Sequence, residues 1–281
     1  MRQIRRAAIV VGLVVGVTVG CTPLVYGQTA APGAVAVTPA EMEAFLLTAP
    51  IVRMRPAGDG VTNSRRATLS DGRLTHDAHV QVVDESKAIF DTPRLTEVNF
   101  KDTYRYNIAG YRLARLLELD NVPMSVERRI DGKSAAVTWW VDDVMMDEGD
   151  RQKKKATDPD ARRGSVYVYR HRIFDELIQN RDRNLGNLIY TKDWKMWMID
   201  HTRAFRLGRE LLKPDQLTRI EPALFANLKT LTVANVTAAV GTSLTKGEIE
   251  AVVARRDVIV RVFEQRIAKG GEAAVLYPLT P

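Results

Sequence analysis

From Ile51 to Val83 apolar and polar residues alternate in short runs, "IVRMRPA", "RRATLS" and "HVQVV", divided by "GDGVTNS" and by a turn at Asp71-Gly72. A period of two between Gly, Asp and Asn punctuation predicts strands, because successive strand residues face opposite sides of a sheet. Between Asp102 and Leu119 the period lengthens. Tyr106, Ala109, Gly110, Leu113, Leu116 and Leu117 then share one helical face, and "DNVP" stops the helix. Alternation returns in "SVERRIDGKSAAVTWWV", with Asp131-Gly132 as a hairpin turn. The run 147–164, "DEGDRQKKKATDPDARRG", has no period and charges of both signs, and reads as a solvated loop. After it, "SVYVYRHRIFDELIQN" predicts an amphipathic helix, and "LIY" and "MWMI" on either side of "TKDWK" predict a hairpin of two short strands. "AEMEAFLLTA" predicts a short helix near the start of this body. Near its end, Thr245 and Glu248 form a capping box ahead of a long helix that stops at Gly270 and Gly271.

That order is α+β: a β-rich half with one long helix over 41–146, the charged loop 147–164, and a mainly helical half over 165–281. Ahead of it, residues 28–40, "QTAAPGAVAVTPA", read as a linker. Residues 1–27 read as a signal sequence, with basic "MRQIRR", apolar "AAIVVGLVVGVTVG" and small or tolerated residues before Gln28. An uncleaved membrane anchor is the alternative, as is lipidation at Cys21, which follows Gly20 in a box where Thr18 stands in place of the usual Leu. Cys21 is the only cysteine, so the mature body has no internal disulfide and rests on its core. With Arg2, Arg5 and Arg6 removed, the formal charge falls from +7 to +4. A mild excess of this size suits an anionic ligand, and no basic-aromatic pattern argues for nucleic acid.

The chemistry concentrates in "NRDRNLGNLIY", residues 180–190, followed by "WMIDHTRAF". The predicted hairpin returns Asp200, just after its second strand, to the side of Asn187, just before its first. A carboxylate and an amide oxygen meeting there are hard ligands suited to Mg²⁺ or Mn²⁺ carried in with a phosphate. Asp182 stands slightly outside, placed to orient an attacking hydroxyl, which completes the parts needed for phosphoryl transfer.

"FDELIQNRDRNLGNLIYTKDWKMWMIDHTRAF" resembles the catalytic segment of atypical protein-kinase-like folds: HipA-like kinases, phosphatidylinositol 3-/4-kinases and secretory-pathway casein kinases. The resemblance implies a two-lobed kinase-like fold, with Asp182 as catalytic base and Asn187 and Asp200 as metal ligands. It extends more loosely over 58–205, where "YRLARLLELDNVPMSVER" looks like the αC helix and its following strand. Two positions depart from the pattern. Gln81 stands where such kinases carry the phosphate-gripping Lys, and Asn107 where αC carries its partner Glu. Two amides can hydrogen-bond each other but supply no positive charge; Arg65, Arg66 and Lys87 are candidates for a relocated cation. Gly58 and Gly60 lie in the turn where backbone N–H groups would cover phosphates. His201 is either a hydrogen-bonding loop residue or a catalytic one, and Trp139 and Trp140 either meet an adenine ring or form a buried aromatic pair.

Two functions stay open at this point, beside a third reading of an envelope protein that keeps the fold but binds no nucleotide. One is an exported, metal-dependent kinase using ATP or another nucleoside triphosphate on a protein or small hydroxyl acceptor. The other is a degenerate nucleotide-binding module, a pseudokinase that senses or scaffolds in the cell envelope. Asp182, Asn187 and Asp200 favour the first; Gln81 and Asn107 favour the second. Export has its own test. Mass spectrometry of the mature protein is expected to find a chain beginning near Gln28 or at a lipid-modified Cys21; an intact chain from Met1 in the cytoplasm would contradict it.

Overall fold

The computed structural model describes residues 37–58, 64–92 and 95–277, all within one compact unit; the expected signal sequence, Cys21, most of the linker and Gly60 lie outside them. Helix α1 (Pro39–Thr48) opens the fold, with a capping box between Thr38 and Glu41. Strands β1 (Ile51–Pro56), β2 (Arg65–Ser70) and β3 (Thr75–Gln81) follow, as the alternation predicts. They join β6 (Ser125–Ile130) and β7 (Lys133–Trp139) in one antiparallel sheet of order β1-β2-β3-β7-β6. The β6–β7 turn places Asp131 at φ 51 and Gly132 at φ 78, the two positive angles that a two-residue hairpin of this twist requires. Helix α2 (Arg105–Leu116) packs its Leu113 and Ala114 against this sheet.

Asp102 belongs to a strand and not to the helix. Strands β4 (Asp84–Thr92) and β5 (Leu95–Thr103) form a separate two-stranded hairpin ahead of α2. Its outer face leaves Ile89 and Val98 61% and 65% exposed, and of the buried Glu97, Phe100 and Thr103 on β5 one alone is apolar, so no buried apolar side imprints an alternation on the sequence.

The charged run 147–164 is also not a loop throughout. Strand β8 (Val144–Asp147) leads into helix α3 (Glu148–Lys154), whose N-cap Asp147 accepts the backbone N–H of Asp150. No residue of α3 is buried; ion pairs of Glu148 with Arg151, and of Asp150 with Lys153 and Lys154, support it in place of an apolar stripe.

Helix α4 (Ala161–Ile178) then delivers the chain to the polar loop and to β9 (Leu188–Thr191) and β10 (Met196–Met198), the expected short hairpin, with β8 as a third strand beside β9. Helices α5 (Pro222–Thr230), α6 (Val233–Val240), α7 (Lys246–Gly270) and α8 (Glu272–Val275) complete the chain. The expected capping box of Thr245 and Glu248 starts α7, and Gly271 at φ 80 ends it. One apolar core runs from Leu46 and Val80 through Leu113 and Leu117 to Phe174, Met198, Phe205 and Phe263.

Arg255 crosses this core. It is fully buried on α7; Nε donates to Leu177 O at 2.8 Å, and Nη1 to Arg206 O at 2.8 Å and to Gly208 O. The guanidinium thereby closes the end of α4 and fixes the segment that follows the candidate site. Burial lowers its pKa to about 10, which keeps it charged at neutral pH. Arg255→Met would leave these carbonyls buried without donors. A stability loss of about 3 kcal/mol is expected in urea unfolding, since each orphaned group costs ~1–3 kcal/mol; a loss below about 1 kcal/mol would mean the carbonyls find other partners.

Candidate active site

The loop after α4 is built by its own polar side chains. Gln179 ends the helix at φ 48, and its Nε2 donates to Glu210 O at 3.0 Å. Asn180 Oδ1 accepts the N–H of Asp182 at 3.1 Å, and Asp182 O accepts that of Asn184 at 2.8 Å. A single 3₁₀ turn, Leu185–Asn187, leads into β9.

Arg183 ties this loop to both strands of the hairpin. Nη1 donates to Asn187 O at 3.1 Å and to Ile199 O at 2.6 Å, while Nη2 reaches Asp175 Oδ1 on α4 at 2.9 Å. Ile199 N donates to Asn187 O at 3.1 Å. Asn187 and Asp200 are therefore neighbours at one end of the hairpin, as the strand pattern requires. Nothing in the apolar pattern marks Arg183; its only signal is a charge set between two loop residues with roles of their own.

Asp200 adopts φ 53, an unfavourable region for a residue with a Cβ. Its Oδ1 accepts the N–H of Thr202 at 3.3 Å and the Thr202 hydroxyl at 3.0 Å, which pins the carboxylate in that conformation. Asp182 is half exposed, and Nδ2 of Asn187 lies 3.4 Å from its carbonyl oxygen, leaving the amide oxygen of Asn187 as the end available to a cation.

The β-rich half closes on the same point. Thr103 N donates to Thr202 O at 3.0 Å and brings Asp102 beside Asp200. Burial, with the charge of Asp200 adding to it, raises the Asp102 carboxyl above its ordinary range; Oδ1 of Asp102 is buried with no hydrogen-bond partner among the described residues. His79, on β3, also faces Asp200; burial lowers its pKa and the neighbouring carboxylate opposes that shift. The sequence gives neither residue a role, because they meet Asp200 only through the fold.

Gln81 ends β3, fully buried. The amide oxygen of Asn107, expected to face it, accepts the N–H of His201 at 2.7 Å, so Asn107 joins α2 to the residue after Asp200. His201 is a packing residue. A Cβ on Gly110 would meet its ring at 3.2 Å, Phe174 meets it edge-on at 5.8 Å, and burial holds it neutral. Gly58 is exposed in the turn after β1, whose base is closed by Ala57 N donating to Ser64 O at 3.0 Å. Trp139 stacks on His76 at 3.8 Å, on the face of Phe45. Trp140 lies under Arg66, 4.1 Å from ring centroid to guanidinium carbon.

The three cations considered from the sequence are engaged nearby: Arg65 with Asp131 at 3.2 Å, Arg66 with Asp77 at 2.5 Å and Lys87 with Glu85 at 3.1 Å. The cation beside Asp182 is Arg203, whose Nη1 lies 3.5 Å from Asp182 Oδ2.

No cluster of three or more His, Cys, Asp or Glu side chains suited to a metal occurs among the described residues. The donors at Asp200 nonetheless fit a hard divalent ion. The carboxylate of Asp200, the neighbouring Asp102 with one orphaned buried oxygen, and the amide of Asn187 supply part of an oxygen shell. Mg²⁺ sites of this type are completed by substrate phosphates and water.

No protein-family model and no curated protein matches the sequence. Solved structures do. The structure of hydra Fam20 with sugar aligns with TM-score 0.65 at 15% identity, over 86% of this chain and 93% of that one. The Golgi casein kinase with Mn/ADP bound gives 0.62 at 16% identity, over 84% and 78%. A Helicobacter pylori proinflammatory kinase, CtkA, gives 0.51 at 9% identity, over 80% and 97%. Agreement at such identities concerns the fold, and function has to come from the site. The chain has an atypical protein-kinase-like fold, β-rich in its first half and mainly helical in its second.

Proposed function

We propose that this chain is an exported, metal-dependent phosphotransferase that uses ATP or a similar nucleoside triphosphate on a protein or small hydroxyl acceptor. The observation that carries the reading is the meeting of Asn187, Asp200 and Asp102 at one end of the β9–β10 hairpin, with Asp182 at its side. Asn187 and Asp200 would hold Mg²⁺ or Mn²⁺, with Asp102 adding charge. Such an ion, when bound, would offset the charge of the nucleotide phosphates. Asp182, half exposed, is free to accept a hydrogen bond from an acceptor hydroxyl and orient its oxygen. The cleft face of β3, with His79 and Gln81, and the Gly58 turn would cover the nucleotide. Gly60 belongs to the same proposal.

Export rests on the basic, apolar and small-residue order of the first 27 residues, and membrane attachment at Cys21 or through an uncleaved anchor is part of it. A second reading, a pseudokinase, is favoured by a specific observation. The oxygen of Asn107 is turned to the backbone of His201, and the sequence resemblance puts the buried, uncharged Gln81 where such kinases carry the phosphate-gripping Lys.

Calorimetric titration of ATP with and without Mn²⁺ separates the two readings from a chain that binds no nucleotide. Binding is expected to depend on metal, and Asp200→Ala is expected to abolish that dependence. Asp182→Ala is expected to leave affinity within about twofold and to lower transfer by about 10²–10⁴-fold, the range for a lost general base. Metal-independent binding that Asp200→Ala does not change contradicts the metal assignment; wild-type binding without transfer supports the pseudokinase.

A further inference from the structure

Arg203 follows Asp200 by three residues, and its guanidinium is held on two sides. Nη2 pairs with Glu97 Oε2 on β5 at 3.2 Å, and the group lies over the face of Phe100, 5.0 Å from the ring centroid. Glu97 is itself 5% exposed and also pairs with Arg206 at 2.7 Å, so one buried carboxylate serves two guanidinium groups. Arg206 donates its Nη1 to Asn99 O at 3.3 Å and is fixed to the same hairpin. Within that trio two guanidinium groups share one carboxylate, so a positive charge is left over, and the open side of Arg203 turns it towards Asp182. There, Nη1 stands 3.5 Å from Asp182 Oδ2, beyond the 2.7–3.2 Å of a good hydrogen bond, so this side is not saturated. Arg203 also acts electrostatically on Asp102, the neighbour of Asp200. The guanidinium is therefore in reach of Asp182, the proposed hydroxyl-orienting carboxylate, and acts on Asp102 beside the proposed metal position, the two ends of the path a transferred phosphoryl group would take.

We infer that Arg203, braced by Glu97, is the phosphate-contacting cation of this site and takes over the charge that Gln81 cannot supply. The inference rests on the phosphotransfer reading and names the residue that contacts the γ-phosphate. In the transfer, the acceptor oxygen bonds to the γ-phosphorus as the bond to the β,γ-bridging oxygen breaks. The electron pair of that bond leaves on the nucleoside diphosphate, and the acceptor's proton passes to Asp182. Charge spreads over the equatorial phosphoryl oxygens meanwhile. With Nη2 held by Glu97, Nη1 is the arm left to those oxygens, and the planar group is aimed by its fork in a way a single ammonium is not. The β4–β5 hairpin gains a role by the same logic, because it carries the Glu97 that aims the fork.

Titrating the purified protein with ATP and with ADP, each with Mn²⁺, tests this. Arg203→Met is expected to weaken ATP about tenfold, the effect of one lost charge-assisted hydrogen bond, and ADP less than about threefold. It is expected to slow transfer by about 10²–10³-fold, as removal of a donor to developing charge does. Arg203→Lys keeps the charge, loses the fork and is expected to fall between the two. An equal loss for ATP and ADP, or no loss for either, overturns the assignment of Arg203 while leaving Asn187 and Asp200 untouched. If circular dichroism shows Arg203→Met unfolded, Arg203→Lys decides alone, and an ATP-to-ADP preference equal to wild type overturns it. A wild-type protein that binds neither nucleotide removes the phosphotransfer reading itself, and this inference with it.

Discussion

The bond set around Arg183 fixes the geometry of everything proposed for this chain. A single guanidinium, 9% exposed, joins Asp175 on the helix, Asn187 O at the start of one strand and Ile199 O at the end of the next. Without it Asn187 and Asp200 would be held together by the short β9–β10 ladder and the bond of Ile199 to Asn187 alone. Asp175 is 14% exposed, so the pair is largely desolvated, and its attraction repays that cost only because both carbonyls also accept. The bond set serves position as much as stability. Asp182 is attached to the same short loop, so its distance from Asp200 is set by Arg183 as well.

The second constraint is the docking of the β-rich half on the segment after Asp200. Asn107 caps the backbone of His201, the His201 ring packs where Gly110 has no Cβ, and Thr103 bonds to Thr202. Further out, Glu97 grips Arg203 and Arg206, and Arg255 holds Arg206 O and Gly208 O from the opposite side. This support accommodates features that are unfavourable alone: a left-handed Asp200, and Asp102 raised by burial and by the neighbouring carboxylate. Strain and like charge persist there only because the surrounding bonds hold them in place.

How much of this the sequence reveals depends on distance along the chain. Asp182, Asn187 and Asp200 are legible because a helix, a polar loop and two short strands are local patterns, and a hairpin returns its end to its beginning. The Asp131-Gly132 turn and the Thr245 capping box are legible for the same reason. Elements without a buried apolar face are not. The β4–β5 hairpin exposes Ile89 and Val98, and α3 buries nothing, so neither writes a period into the sequence. Partnerships made by the fold are equally hidden. Asn107 meets His201 across 94 residues, and Glu97 meets Arg203 across 106. The bond from the His201 backbone N–H to the Asn107 oxygen is one that the family pattern does not contain.

Diffraction at the manganese absorption edge, from crystals grown with Mn²⁺ and a non-hydrolysable ATP analogue, tests the central claim most directly. The account predicts an anomalous peak at roughly 2.1 Å from a carboxylate oxygen of Asp200 and from the amide oxygen of Asn187, a hexacoordinate hard-ion distance. The γ-phosphate should lie between that peak and Asp182. A bound nucleotide with its manganese away from Asn187 and Asp200 would contradict the account.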